Sequence, residues 1–286
     1  MQVLPVCYDL ARSPPTFDFV SFLVGAEMAR LDAGAGRIEL HIAPGPNHGF
    51  RADTLPPPDP AHRRRLLAAI VEPMAHLLPS VAGVIVHSGR PDLPPGTYGL
   101  NRGRYGFPVK VAAAARGLYP LRAAPAGMAL PCPAADCITI TLRECEWWPT
   151  RNSDLAQWLV VAAGLRARGF VPVFVRDTAM ADVPIPGQLT WPAASHNLYC
   201  RARLYADAAL NLFVNNGPAW LSWFMGAPTL IAKMISAEAP AVSAEFFAGC
   251  GLRPGFDLPN ARPRQRIVWT DDRADPVLAA VDAVLA

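Results

Sequence analysis

The chain has 286 residues, 52% hydrophobic and 17% charged, with a formal net charge of +3 at pH 7. That composition provides a sizeable buried core and excludes a disordered chain, while so small a charge gives no electrostatic case for a nucleic-acid partner. The six cysteines (Cys7, Cys132, Cys137, Cys145, Cys200, Cys250) form no C-x-x-C pair, so neither a zinc site nor a disulfide framework is indicated.

The opening MQVLPVCYDLARSPP lacks the basic and long apolar regions of a signal peptide, and the expected location is a reducing cytoplasm, with the periphery of the inner membrane left open. Val3 to Tyr8 reads as a first buried strand. Thr16 to Leu31 reads as a helix, with Thr16 or Asp18 near its cap and Phe19, Phe22, Leu23, Ala26 and Met28 as apolar positions. The DAGAGR that follows reads as a helix stop, not as a dinucleotide fingerprint. Arg37 to Ile42 is a second strand, running into PGPNHGFR, a turn-rich loop that places Asn47, His48 and Arg51 just past a strand end. Asp59 to Leu78 is the next helix, and Gly83 to His87 a third strand ending in HSGR. This β-α-β-α-β order predicts a first Rossmann-like layer.

From Pro91 to Pro133 no period is sustained. The segment carries Arg102, Arg104 and Lys110 and one candidate strand, Val109 to Ala113. The expected domain boundary is at Pro131-Pro133, giving domains 1–131 and 132–286. Proline clusters such as Pro56-Pro57-Pro58 predict stiff loops.

Beyond the boundary, Cys137 to Leu142 is a strand, followed by a helix from Leu155 to Arg168 capped by Asn152 or Ser153. Phe170 to Val175 is the next strand and Ser195 to Ala208 a helix. Leu210 to Lys233 then holds strand, tight loop, helix and strand. Leu210 to Val214 is apolar, Asn215-Asn216-Gly217-Pro218 is punctuation, Ala219 to Met225 is helical, and Pro228 restarts a strand. No charge falls between Asp207 and Lys233, but Asn-Asn-Gly-Pro and Gly-Ala-Pro break the span twice and argue against a transmembrane helix. Gln265 to Trp269 and Asp275 to Leu285 close the chain as strand and helix. The expected class is therefore α/β, two Rossmann-like domains with parallel sheets, whose strand-end loops are candidates for one cleft.

Arg143 ends a strand and Arg151 stands just ahead of a helix N-terminus, so two guanidinium forks could face one diphosphate. The plainer alternative is a pair of surface arginines bridging Glu144, Glu146 or Asp154. Asn215, Asn216 and Gly217 would offer amide donors at a helix N-terminus. Asp177, Ser195 and His196 lie at other strand-end loops and could hold a ribose or base, and His48 and His87 are candidates for a general base. Trp147, Trp148, Trp191, Trp220 and Trp223 could stack on a base or sugar, the last two reading better as core. No D-x-D, H-E-x-x-H or P-loop pattern occurs.

Taken together, the strand CITITLR, the loop TRNSD, the strand VPVFVRD and the unit LNLFVNNGPAWLSWFMGAPTLIA resemble the nucleotide-sugar-binding domain of GT-B glycosyltransferases. DFVSFLVGAEMARL, IELHIAPGPNHGFR and GVIVHSGR look like the acceptor-side domain. The resemblance implies two Rossmann-like domains facing a central cleft and a metal-independent sugar transfer from a nucleotide-diphosphate sugar. That sugar is the donor substrate, and no further cofactor is implied. Arg143, Arg151, Asn152, Asp177, His196, Asn215, Asn216 and Gly217 are then donor contacts, with a catalytic base, His48 or His87, from the first domain. The acceptor would be a glycan or a lipid-linked molecule of a bacterial surface polysaccharide. One departure is the lack of an acidic residue in the helix after the glycine turn. The alternatives are a sugar-nucleotide epimerase or hydrolase of the same fold and a non-catalytic binding or scaffold protein.

Overall fold

The computed structural model of the chain describes residues 2–52, 59–100, 106–123, 128–146, 148–236 and 238–286, so Pro56-Pro57-Pro58, Arg102, Arg104 and Trp147 lie outside the described residues. The fold is α/β, as the element order predicts, and divides into two units, Met1–Ala113 with Pro120–Arg122 and Ala114–Tyr119 with Ala123–Ala286. The changeover along the chain falls ahead of Pro131-Pro133.

In the first unit β1 (Val3–Asp9), α1 (Phe19–Asp32) and β2 (Arg37–Ala43) follow the sequence reading closely. Asp18 precedes α1 but makes no side-chain cap. Gly34, at φ 61°, provides the left-handed stop read from DAGAGR. Tyr8, Phe19, Phe22 and Tyr98 form an aromatic cluster, and Gly25 is the residue on α1 that admits Tyr98, because a Cβ there would meet its hydroxyl at 2.1 Å. The single helix expected from Asp59 to Leu78 is instead α2 (Pro60–Leu66), one π turn over Leu67–Val71, and α3 (Glu72–Ala75). Pro73 has no N–H to donate back along the helix, and the wider turn just before it, closed by Glu72 N–H on Leu67 O, takes up that gap. β3 (Val81–Val86) completes a parallel sheet in the order β1-β2-β3. The strand expected over Val109 to Ala113 is a helix, α4 (Phe107–Ala115), in which a run of alanines outweighs the two valines.

The second unit is a six-stranded, wholly parallel sheet: β4 (Cys137–Thr141), β5 (Val171–Val175), β6 (Leu189–Thr190), β7 (Leu210–Val214), β8 (Thr229–Ala232) and β9 (Gln265–Ile267), in the order β6-β5-β4-β7-β8-β9. Its helices are α5 (Leu155–Ala167), α6 (Pro192–His196), α7 (Leu198–Asp207), α8 (Gly217–Phe224), α9 (Ala244–Gly249) and α10 (Ala274–Leu285). The helix expected from Ser195 to Ala208 is broken at Asn197, whose extended backbone ends α6 and whose side chain caps α7 at Tyr199 and Cys200 N–H. Likewise α5 is capped by Asp154, not Asn152 or Ser153.

Helices cover both faces of this sheet. Ile138 and Ile140 on β4 and Leu142 just past it pack with Trp158, Val161 and Leu165 of α5 and Val277 and Val281 of α10. Cys137, on the alternate face, packs with Val173, Val175, Ala194 and Leu204. Each such large apolar side chain contributes roughly 1.5–3 kcal/mol on burial. The polar residues between the strands and α7 are all engaged: Thr141 shares a hydrogen bond with Tyr205, and Asn211 takes one from Thr139 while donating to Tyr205 O. This two-sided cover explains why the strands read as unbroken apolar runs.

Candidate functional site

Numbered from its own first strand, the second sheet runs 3-2-1-4-5-6, so the strand order reverses between β4 and β7. Open α/β sheets bind ligands in the crevice at the carboxyl ends of the strands at such a point. The loop after β4 is folded tightly there. Arg143 N–H donates to Ser153 Oγ (2.9 Å) and Ser153 N–H to Arg143 O (3.0 Å). Arg143 Nη1 donates to Trp148 O (3.0 Å) and to Asn152 Oδ1, and Asn152 is tied by its amide to both N–H and C=O of Cys145. Burial pulls the Arg143 guanidinium below its ordinary pKa, against the opposing influence of Cys145 and Asp177. Asn152 thus holds Arg143 in place, a contact between the two that the sequence reading did not anticipate.

Arg151 closes a single 3-10 turn, Pro149–Arg151, and its Nη2 donates to Asn215 O at 3.0 Å, which joins the β4 loop to the end of β7. Asn215 in turn donates to Met234 O (3.1 Å) and accepts from Trp220 Nε1 (3.3 Å). α8 begins at Gly217, two residues earlier than expected, because Asn216 Oδ1 accepts from Ala219 N–H at 3.0 Å. The other end of that amide is unusual: Asn216 is 8% exposed, and its Nδ2 is buried with no partner among the described residues. Buried donors are nearly always paired, and this one stands at a helix N-terminus, where the dipole favours an anionic acceptor.

Two residues that sequence reading missed brace the same edge. Lys233, just past β8, donates to Asn152 O (2.8 Å) and pairs with Asp272 (3.2 Å). Asp272 also accepts from Asp154 N–H (2.7 Å) and Trp158 Nε1 (2.9 Å). A recess of about 410 Å³ opens beside them, lined by Thr150, Gln157, Lys233, Ser236, Glu238 and Arg273 among others. On the far side, past β5, Arg176 forks onto Glu144 and Asp177 accepts from Glu144 N–H at 2.6 Å. Burial pushes the Asp177 carboxyl up, more than that hydrogen bond and the Arg201 and Arg143 charges pull it down. Ser195 Oγ donates to Arg176 O, whereas His196 is exposed and paired with Asp182, apart from these contacts.

Trp220 and Trp223 are buried, Trp191 is half-buried and packs against the cluster that holds Val173, and Trp148 is 45% exposed at φ 53°. No group of three or more His, Cys, Asp or Glu among the described residues is arranged to hold a metal, and none of the described helices is long and apolar enough to cross a membrane.

At the carboxyl edge of the first sheet, Asp9 is 2% exposed and forked by Arg90 at 2.8 and 3.1 Å. Burial alone would raise its pKa, but Arg90, the Ala11 N–H and Arg12 together hold it below the usual carboxylate range. A recess of about 520 Å³ is lined there by Asp9, Arg12, Gly45, Gly49, Ser88 and Arg90. His48 sits exposed at φ 50° on the tip of the Gly45–Phe50 turn. His87, which immediately precedes Ser88, is half-buried, and its Nε2 lies 2.9 Å from Nδ1 of His41 on β2, a residue read from sequence only as part of a strand.

No family model matches the chain, and no curated protein matches it. Similar solved structures include the dodecameric iron-containing heptosyltransferase TibC in complex with ADP-D-β-D-heptose, at 17% identity and a TM-score of 0.48 over 85% of this chain and 61% of that one. They also include E. coli heptosyltransferase WaaC with ADP, at 11% identity and a TM-score of 0.46 over 99% of this chain and 98% of that one. A glycosyl transferase of family 9 from Veillonella parvula follows at 9% identity and a TM-score of 0.41, over 93% and 86% of the two chains. The chain spans 61% of the length of the first of these.

Proposed function

We propose that this chain is a glycosyltransferase that takes its sugar from a nucleotide-diphosphate donor, without a metal ion, and passes it to a glycan or lipid-linked acceptor of a bacterial surface polysaccharide. The observation that carries the reading is the bond from Arg151 to Asn215 O at the threshold of α8, on the same β4 loop that holds Arg143, at the strand-order reversal, where Asn216 Nδ2 is buried without a partner among the described residues. Leaving diphosphate gathers negative charge as the glycosidic bond breaks, and fixed guanidinium and amide donors at a helix N-terminus stabilise that charge.

In this reading Arg143, Arg151, Asn215, Asn216 and Gly217 serve the diphosphate, and Asn152 acts by holding Arg143. Asp177 fixes Glu144 and with it the start of the same loop. His196, paired with Asp182 at the surface, is given no part in donor binding. Of the two histidines weighed as bases, His87 is favoured, because its ring is held by another side chain while His48 is exposed on a turn tip.

The test is thermal stability against nucleoside diphosphates and nucleotide sugars, with and without magnesium. A ligand that binds only the folded state at a hundred times its Kd raises stability by roughly 2.7 kcal/mol. A magnesium-independent rise for one base supports the reading and names the nucleotide. A cooperatively folding sample that responds to none of them overturns it.

A further inference from the structure

A chain of polar side chains crosses the first sheet from β2 to the residue after β3. Glu39 Oε1 lies 3.1 Å from His41 Nε2, and His41 Nδ1 lies 2.9 Å from His87 Nε2, with the two rings near parallel at 18° and their centroids 5.2 Å apart. His41 is 6% exposed, whereas the Glu39 side chain is 49% exposed. The three residues share one face, because Glu39 and His41 are two apart on β2 and His41 stands level with Ile85, two before His87.

The hydrogens in this chain follow from one fixed end. An ionised carboxylate can only accept, so His41 carries its hydrogen on Nε2 and presents a lone pair at Nδ1. That lone pair accepts from His87, so His87 carries its hydrogen on Nε2. His87 Nδ1 is then the atom with an available lone pair, and it has no partner among the described residues. Cys7, level with His41 on β1, adds no charge beside it at neutral pH, since burial and then the Asp9 charge push its thiol up to about 11.

We infer that Glu39 and His41 are positioning residues that fix His87 in one tautomer, with Nδ1 as the proton-accepting atom. The inference rests on the glycosyl transfer proposed above. In that transfer the acceptor O–H bond breaks as its oxygen bonds to the anomeric carbon. The bond from that carbon to the diphosphate oxygen breaks with its electron pair on the oxygen, and the acceptor proton goes to His87 Nδ1. The imidazolium so formed is oriented through its Nε2–H by His41, which is in turn held by the Glu39 carboxylate. A base oriented by a second group that a carboxylate holds is the logic of catalytic triads, and Glu39 keeps its charge throughout.

The experiment reads the tautomers directly, by two-bond proton–nitrogen correlation spectra of the whole 15N-labelled chain at a pH where the rings are neutral. The wild type is expected to show His41 and His87 both protonated on Nε2. Glu39→Leu, a change at a half-exposed residue that does not touch His87, is expected to turn the His87 signature into a mixture of tautomers. A wild-type His87 protonated on Nδ1, or a His87 signature unmoved by Glu39→Leu, overturns the inference. In the transfer assay Glu39→Gln is expected to lower kcat about 10-fold with KM for both substrates within twofold, and His87→Gln to lower it about 100-fold or more. A folded wild type that transfers no sugar from any nucleotide sugar overturns the proposed function instead, and the spectra still decide the tautomer.

Discussion

Arg151 and Asn215 stand on different strand-end loops, yet Arg151 Nη2 donates to Asn215 O at 3.0 Å, so the guanidinium is fixed at the threshold of α8. Arg151→Ala removes that bond and a positive charge together. The bond supports a solvent-facing loop, and the expected loss of stability is about 1 kcal/mol. Affinity for a nucleoside diphosphate is expected to fall further, by roughly 10- to 100-fold, as charge-assisted bonds to phosphate are lost. Titration calorimetry on the variant checks this, and an unchanged Kd would make Arg151 a structural staple only.

Asn216 permits a sharper separation of cap and ligand. Asn216→Ala deletes the cap on Ala219 N–H and is expected to cost about 1 kcal/mol. Asn216→Asp keeps a good cap and suits the helix dipole, so stability should stay within about 1 kcal/mol of wild type. The same change replaces the unpartnered donor by a charged acceptor, and diphosphate affinity should fall at least about 10-fold. Wild-type affinity in a stable Asn216→Asp protein would remove the amide from the anion site.

The β7–α8–β8 unit was legible because an uncharged run was interrupted by Asn215-Asn216-Gly217-Pro218 and by Gly226, the stop at φ 71°, whereas the cap by Asn216 and the start at Gly217 emerge only in the structure. Arg143 and Arg151 drew notice in the sequence because one follows a strand end and the other stands a few residues ahead of a helix. α4 was missed because a short apolar run fits strand and helix alike, and the valines at its start drew the reading to a strand although the alanines that follow favour a helix. Lys233 and Asp272 escaped notice because each is unremarkable in its own segment and acquires meaning only when β8 and the start of α10 come together. The Glu39–His41–His87 chain depends on the β2–β3 register, which shifts between Ile38 and Glu39, and a shift of that kind has no signature in local sequence.

In the first unit, Asp9 should make stability depend on pH in a defined direction. Its folded pKa lies below the ordinary unfolded value of about 3.9, so its contribution is fully present above that value and is lost as pH falls through the folded one. Arg90→Ala leaves burial unopposed by its main partner, and Asp9 then favours the neutral form. The variant is expected to be less stable by about 1–2 kcal/mol at pH 7, a figure kept small because Arg90 is 45% exposed. That deficit should shrink as pH is lowered toward about 4, where protonation relieves the unpaired charge. Urea unfolding at a series of pH values checks it, and a deficit independent of pH would show that Arg90 acts through packing alone.

Asp272 carries the heaviest structural demand at the second sheet's edge. It is 3% exposed and accepts from Asp154 N–H and Trp158 Nε1 while balancing Lys233. Asp272→Ala strands a buried indole N–H, a part-buried backbone N–H and an ammonium at once, and the expected cost is about 3–5 kcal/mol. Asp272→Asn keeps one accepting oxygen and should cost roughly half as much. Trp158 reports the change directly, since its indole N–H loses its acceptor, so tryptophan fluorescence during urea unfolding follows both variants. Lys233 also holds Asn152 O, and Asn152 holds Arg143, so the loss should spread to the loop: donor affinity is expected to fall in Asp272→Ala even where the protein remains folded. An Asp272→Ala protein within about 1 kcal/mol of wild type, with unchanged donor affinity, would mean that water replaces the carboxylate and that the Arg143 loop is held by its own bonds alone.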